Sequence, residues 1–185
     1  MRGDTVVATE VEDDAALVER ARDGDRAALD TLVSRHHASV YATTYRVLGD
    51  PDAAADAAQD AFIKAMGALH GFRGDASFKT WLLRIAANTA TSSGRRRTRR
   101  REVVLGSAEW VEGPANPERD VVARTEAERV ESALARLPEK QRLAVSLRLH
   151  EDLSHREVAE VLGSTEGAVR VNYHLGIKRL REWLT

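Results

Sequence analysis

Leu153-Ser154-His155-Arg156-Glu157-Val158-Ala159-Glu160-Val161-Leu162-Gly163-Ser164-Thr165-Glu166-Gly167-Ala168-Val169 is the most informative run in this chain. Ser154 and Glu157 have capping-box spacing: the hydroxyl serves the amide of Glu157, and the carboxylate reaches back. Leu153 and Val158 flank the cap at hydrophobic-staple positions. Gly163 can take the left-handed conformation that stops this short helix. Ser164 or Thr165 then caps a last helix with the apolar stripe Val169, Tyr173, Gly176, Ile177, Leu180 and Leu184. A short helix, a tight glycine turn and a longer helix make a helix-turn-helix.

Working outward, Pro138 suits the first turn of a helix that runs on through Leu143, Leu147 and Leu149. A further helix is expected from about Glu118 to Leu137. Residues 102–117 hold Gly106, Gly113, Pro114, Asn116 and Pro117 with little periodicity, and read as a flexible linker. Upstream, Leu17, Val18 and Ala21 mark a short helix ended by Asp23-Gly24-Asp25. Leu29, Leu32, Val33, Val40, Tyr41, Val47 and Leu48 keep a helical rhythm up to Gly49-Asp50-Pro51. A third helix, from about Asp52 to Leu69, is expected to bury Ala55, Ala58, Phe62, Ala65, Met66 and Leu69. After Gly71-Phe72-Arg73-Gly74, a fourth buries Phe78, Trp81, Leu82, Ile85 and Ala86. Gly94 and the arginines after it close that unit, with Thr91-Ser92-Ser93-Gly94 a weak helical stretch. The expectation is an all-α chain of two helical domains, 12–101 and 118–185, each folding by itself with few contacts between them.

The 185 residues are 43% hydrophobic, enough for a core, and only 5% aromatic. No cysteine is present, which excludes disulfides, thiolate metal sites and cysteine nucleophiles. No apolar run approaches the roughly 20 residues that span a bilayer, and the N-terminus has no apolar stretch of signal-peptide length. A cytoplasmic protein without membrane insertion is expected. The 28 basic and 29 acidic residues nearly cancel, but they are segregated. Residues 95–101, Arg-Arg-Arg-Thr-Arg-Arg-Arg, sit between acidic flanks and read as an anion site, with nucleic acid the first candidate. No histidine pair has ligand spacing, since the adjacent His36 and His37 diverge on a helix. No phosphate-binding glycine loop occurs, so no catalytic residue, cofactor or metal is assigned and the chain is not expected to be an enzyme.

On the last helix, burial of Val169, Tyr173, Ile177 and Leu180 turns Arg170, Val171, His174 and Lys178 outward. Arginine can fork onto guanine, histidine can donate or accept, and valine can press on a thymine methyl. Ser164, Thr165 and the helix N-terminus can meet phosphate. On the third helix, Asp56, Gln59, Asp60 and Ile63 fall at i, i+3, i+4 and i+7 and share one face. A polar face is usually just solvated; an exposed isoleucine beside two carboxylates favours a partner surface.

Two blocks together resemble a known family. Leu137-Pro138-Glu139-Lys140-Gln141-Arg142, Asp152-Leu153-Ser154, Glu157-Val158-Ala159, Leu162-Gly163 and Gly167-Ala168-Val169 are similar to the promoter-reading region 4 of sigma factors. Asp56-Ala57-Ala58-Gln59-Asp60-Ala61-Phe62 resembles region 2.2, and Phe78-Lys79-Thr80-Trp81-Leu82-Leu83-Arg84-Ile85-Ala86-Ala87-Asn88 resembles region 2.3 leading into 2.4. The two-domain plan is that of the extracytoplasmic-function subfamily of bacterial sigma-70 factors.

The resemblance implies a subunit that directs RNA polymerase core to promoters and assists initiation. Asp56, Gln59, Asp60 and Ile63 would bind the clamp helices of the beta-prime subunit, and region 4 the beta flap. Phe72, Arg73, Gly74, Asp75 and Ser77 belong to a segment similar to the loop that captures a flipped minus-ten base. Lys79, Asn88, Arg95, Arg96 and Arg97 would contact the same element. Ser164, Thr165, Arg170, Val171, Asn172, His174 and Lys178 would read the minus-thirty-five element. Asn172 stands where relatives often carry arginine, and Ser92 where they usually carry aspartate. Acidic linker residues such as Glu109, Glu112, Glu118 and Asp120 would mimic RNA charge near the exit path. The free protein would be a monomer, and an anti-sigma factor is a further implied partner. Two alternatives are a stand-alone helix-turn-helix regulator, with the first domain for dimerisation or sensing, and a protein-binding mimic of a sigma factor.

Overall fold

The computed structural model describes residues 12–105 and 125–185. These form α1 (Asp14–Arg22), α2 (Arg26–Leu48), α3 (Pro51–Ala68), a 3-10 turn (Leu69–Gly71), α4 (Phe78–Leu105), α5 (Glu126–Arg136), α6 (Glu139–Leu149), α7 (His155–Leu162) and α8 (Glu166–Leu184). Of the expected linker 102–117, residues 102–105 are the end of α4 instead. The helix expected from about Glu118 begins at Glu126, where the capping box of Thr125 and Glu128 starts it. Residues 106–117 and Glu109, Glu112, Glu118 and Asp120 lie outside the described residues.

Helix starts follow local chemistry. The carboxylates of Asp13, Asp25 and Asp50 accept from amides of the first turns of α1, α2 and α3, and Pro51 occupies the first turn of α3. Thr125 with Glu128, and Ser154 with Glu157, form complete capping boxes. Thr165, not Ser164, caps α8 by accepting from the Ala168 amide. Such caps stabilise by roughly 1 kcal/mol each. Gly49 and Gly163 end α2 and α7 in the left-handed conformation.

The N-terminal half packs α2, α3 and α4 together, with α1 laid across them. The inward stripe of α3 is Ala54, Ala57, Ala58, Ala61 and Ala65; Ala55 is exposed, against expectation. Alanines stand at 53, 54, 55, 57 and 58, so residue type alone could not mark the buried face. α4 also departs from expectation, running unbroken through Gly94 to Leu105. A Cβ at Gly94 would lie 3.3 Å from Leu48 Cδ2, so the glycine serves close packing of α4 on α2 and does not interrupt the helix. In the C-terminal half, α6, α7 and α8 form the helix-turn-helix and α5 rests on α8. A Cβ at Gly176 would stand 2.7 Å from Val145 Cγ2, which fixes how near α8 approaches α6.

The two halves are docked. α7 packs along α4 and α6 meets α2. One apolar cluster holds Phe78, Leu82 and Leu83 together with Leu153, Val158 and Val161. Lys79 Nζ lies 3.0 Å from Glu151 Oε2 and donates to the Glu151 carbonyl at 2.8 Å. Arg142 Nε donates 2.8 Å to the Arg46 carbonyl, and Arg46 itself meets His150 Nδ1. The expectation of few contacts between domains fails because these partners are 72 to 104 positions apart, beyond any local pattern.

Candidate functional site

Three surfaces carry the expected residues. On α3, Asp56, Gln59, Asp60 and Ile63 are all exposed, and Ile63 is 63% accessible. The alanines behind them are buried, so the face is fixed by packing on α2 and α4. Among the described residues, neither Asp56 nor Asp60 is held in an ion pair. An isoleucine left this open beside carboxylates presents apolar area to a partner at little cost to the fold.

The second surface joins the 72–77 loop to α4. Phe72 is half-buried in an aromatic triad, 5.0 Å from the Trp81 ring and 6.0 Å, edge-on, from Phe78. Phe78 is core, as expected. Gly74 has φ of 77°, a conformation that favours glycine, and turns the loop. Arg73 and Asp75 are exposed and lie 3.4 Å apart. Ser77 Oγ accepts from the Thr80 amide and meets its hydroxyl, closing the loop onto α4. Asn88, Arg95 and Arg96 are exposed along α4. Two expected DNA contacts are engaged within the protein. Lys79 is paired with Glu151, and Arg97 is half-buried with Nη1 3.5 Å from Asp50.

The third surface is the outer face of α8. Arg170, Val171, His174 and Lys178 are exposed and Val169 is buried, as the helix phase requires; Tyr173 is half-buried. Leu175 extends the stripe. Arg170 donates from Nε and Nη2 to Glu166 Oε1. Asn172 is turned back, its Nδ2 donating 2.8 Å to the Ala168 carbonyl, so that side chain is occupied by its own helix. At the base of the turn, Glu157 is pulled below the ordinary carboxylate range, chiefly by the Ser154 side chain and amide. Sequence reasoning passed over Arg22, Glu151 and Glu166. Only Glu166 had a readable signal, its i, i+4 spacing to Arg170.

Residues 32–100 match the sigma-70 region 2 family, and residues 127–180 match sigma-70 region 4. Over 168 residues the chain is 39% identical to the RNA polymerase sigma-H factor of Pseudomonas aeruginosa, covering 86% of this chain and 87% of that protein. It is 36% identical over 166 residues to the ECF RNA polymerase sigma-E factor of Escherichia coli K12, covering 85% and 86%. The chain belongs to the extracytoplasmic-function sigma factors of the sigma-70 family. As a sigma factor it directs RNA polymerase core to promoters, and a stand-alone regulator, which needs no region 2, is not favoured. Its fold is also that of CnrH in complex with the cytosolic domain of CnrY, at TM-score 0.66 and 27% identity over 92% of this chain and 96% of that one. The Bartonella quintana sigma factor RpoE, solved with the anti-sigma factor NepR, shares the fold at TM-score 0.67 and 24% identity, over 84% and 95% of the two chains. In this sigma factor, region 2 spans most of α2 through most of α4, and region 4 spans α5 to α8. Among the described residues no helix is long and apolar enough to cross a membrane.

Proposed function

We propose that this sigma factor docks on the polymerase clamp with the α3 face of Asp56, Gln59, Asp60 and Ile63. It then engages the minus-ten element with the 72–77 loop and the exposed side of α4, where Asn88, Arg95 and Arg96 stand. The minus-thirty-five element is read by Arg170, Val171, His174 and Lys178, with Leu175 beside them and Thr165 at the helix N-terminus. Lys79 and Arg97 become DNA contacts only when freed from Glu151 and Asp50. The chain works in the cytoplasm and performs no catalysis of its own; the core carries the chemistry. The likeness to CnrH, solved with the cytosolic domain of CnrY, supports a cytosolic protein domain as a further partner.

The observation that carries this reading is the α3 face, where Ile63 is 63% exposed beside two carboxylates on a helix whose other side is buried alanine. Asp56→Lys with Asp60→Lys should abolish core binding through charge reversal while the thermal unfolding midpoint stays nearly unchanged, because surface substitutions usually move stability by less than about 0.5 kcal/mol. Binding measured by gel filtration with core checks this, and normal affinity of the double variant removes the assignment.

A further inference from the structure

The 72–77 loop has few internal hydrogen bonds, yet its entry is gripped from outside by a residue on α1. Arg22 lies 50 positions from Phe72 in sequence. Its Nε donates 3.2 Å to the Leu69 carbonyl, and its Nη2 donates to the Phe72 carbonyl. Its guanidinium also sits over the Phe72 ring, 6.0 Å from the centroid. Nη1 completes the fork on Glu19 Oε1 at 2.5 Å. Trp81 and Phe78 hold Phe72 from the other side. The side chain is only 22% exposed, whereas Arg73, Gly74 and Asp75 beyond it are open. The clamp therefore fixes the stem of the loop and leaves its apex open to solvent. Beside it, an open groove of about 430 Å³ is bounded by Ala15, Ala16, Glu19 and Arg22 on α1 and by Phe72 and Gly74 on the loop.

We propose that Arg22 is the positioning residue for minus-ten base capture, holding the Leu69–Phe72 backbone so that the apex 73–76 is ordered before DNA arrives. This rests on the reading that the loop receives an unstacked promoter base. A planar guanidinium suits this role because it bridges two carbonyls and stacks on an aromatic face at once, which an ammonium cannot do. Fixing a residue in one backbone conformation costs conformational entropy, so a loop ordered in advance spares the capture step that cost for each residue held. Arg22 acts through the loop; it makes no contact with the base.

The test compares wild type with Arg22→Gln and Arg22→Lys. Arg22→Lys keeps the cation, and carries the experiment alone if the glutamine variant unfolds. In the free full chain, hydrogen exchange at the Phe72 amide, which donates 3.1 Å to the Leu69 carbonyl, should quicken about tenfold in both variants. In holoenzyme, affinity for a single-stranded minus-ten oligonucleotide should fall about tenfold in both, with core affinity and the slope of log affinity against log salt unchanged. Unchanged exchange overturns the proposal, because the loop is then ordered without the clamp. Faster exchange with unchanged oligonucleotide affinity overturns it too, since order at the stem then does not serve capture. Restoration by lysine, or a drop in the salt slope, overturns it in favour of a direct phosphate contact. If wild-type holoenzyme itself ignores the oligonucleotide, the base-capture reading fails, whereas the exchange measurement still reports whether Arg22 orders the loop.

Discussion

His155 opens α7 with its ring edge-on to Tyr173, centroids 5.3 Å apart, and its Nε2 is buried without a hydrogen-bond partner. Burial first, then the nearby cations Arg148 and Arg170, hold its pKa below the ordinary 6.5. In the window just below 6.5 the unfolded chain takes up a proton that the folded domain refuses. The stability owed to the neutral ring is therefore complete above that window and is lost as pH falls through the lowered folded value. Glu157 adds to the same trend at lower pH, since its folded pKa lies under 4.5. Thermal unfolding followed from about pH 7 to pH 5.5 should show a falling midpoint in wild type and a flatter one in His155→Gln. An equal slope in the two proteins counts against a half-buried ring held neutral. The caps around this residue were readable because a cap is an interaction three positions long. The orientation of Asn172 was not legible for the opposite reason: nothing in its spacing says whether an amide points to solvent or back to its own helix.

At the scale of elements, helix existence and phase were legible throughout, since each amphipathic stripe meets a core. α3 was the weak case, because alanine occupies both its faces and only packing separates Ala54 from Ala55. α4 was misread at Gly94 because a glycine that permits close packing looks, in sequence, like one that stops a helix. The consequence of a continuous α4 is that Arg95, Arg96, Arg99 and Arg100 stand exposed along one helix. Replacing Arg95, Arg96 and Arg99 by glutamine should weaken holoenzyme binding to a similar degree across different promoters. The slope of log affinity against log salt should fall by roughly 0.7–0.9 for each phosphate that is no longer neutralised. Arg97 is left in place, because it ties α4 to Asp50. Weakening confined to one promoter sequence would mean base reading, and an unchanged slope would mean a solvated tail.

Across the whole molecule, the docking of α7 on α4 sets a geometric condition on function. Elements centred about 25 base pairs apart lie about 85 Å apart along the duplex, at roughly 3.4 Å per step. Domains that share a core with Leu83 and Val158 buried together cannot reach both. Opening must break the Lys79–Glu151 pair and expose a carboxylate that is 8% accessible in the docked form. The absence of cysteine makes the separation measurable, because Ala38→Cys on α2 and Glu182→Cys on α8 give a uniquely labelled pair. The distance between labels should be short and narrowly distributed in the free chain and clearly longer in holoenzyme on a promoter. Equal distances in the two states would contradict the docked arrangement as the resting form. None of this was legible in the sequence, where the charges of Lys79 and Glu151 look like any two on solvated faces. The sigma-factor assignment, by contrast, was, because both regions keep their local motifs in order.

The chain is expected to give polymerase core its choice of promoter through two separate surfaces. Transcription by core plus this chain from a library of random promoter sequences tests it directly. The expected result is transcripts from templates sharing a two-part motif, with selection at one base pair of the upstream part relaxed by Arg170→Ala, at a cost of about 1–3 kcal/mol on the preferred element. Transcription no greater or more selective than that of core alone would contradict the account.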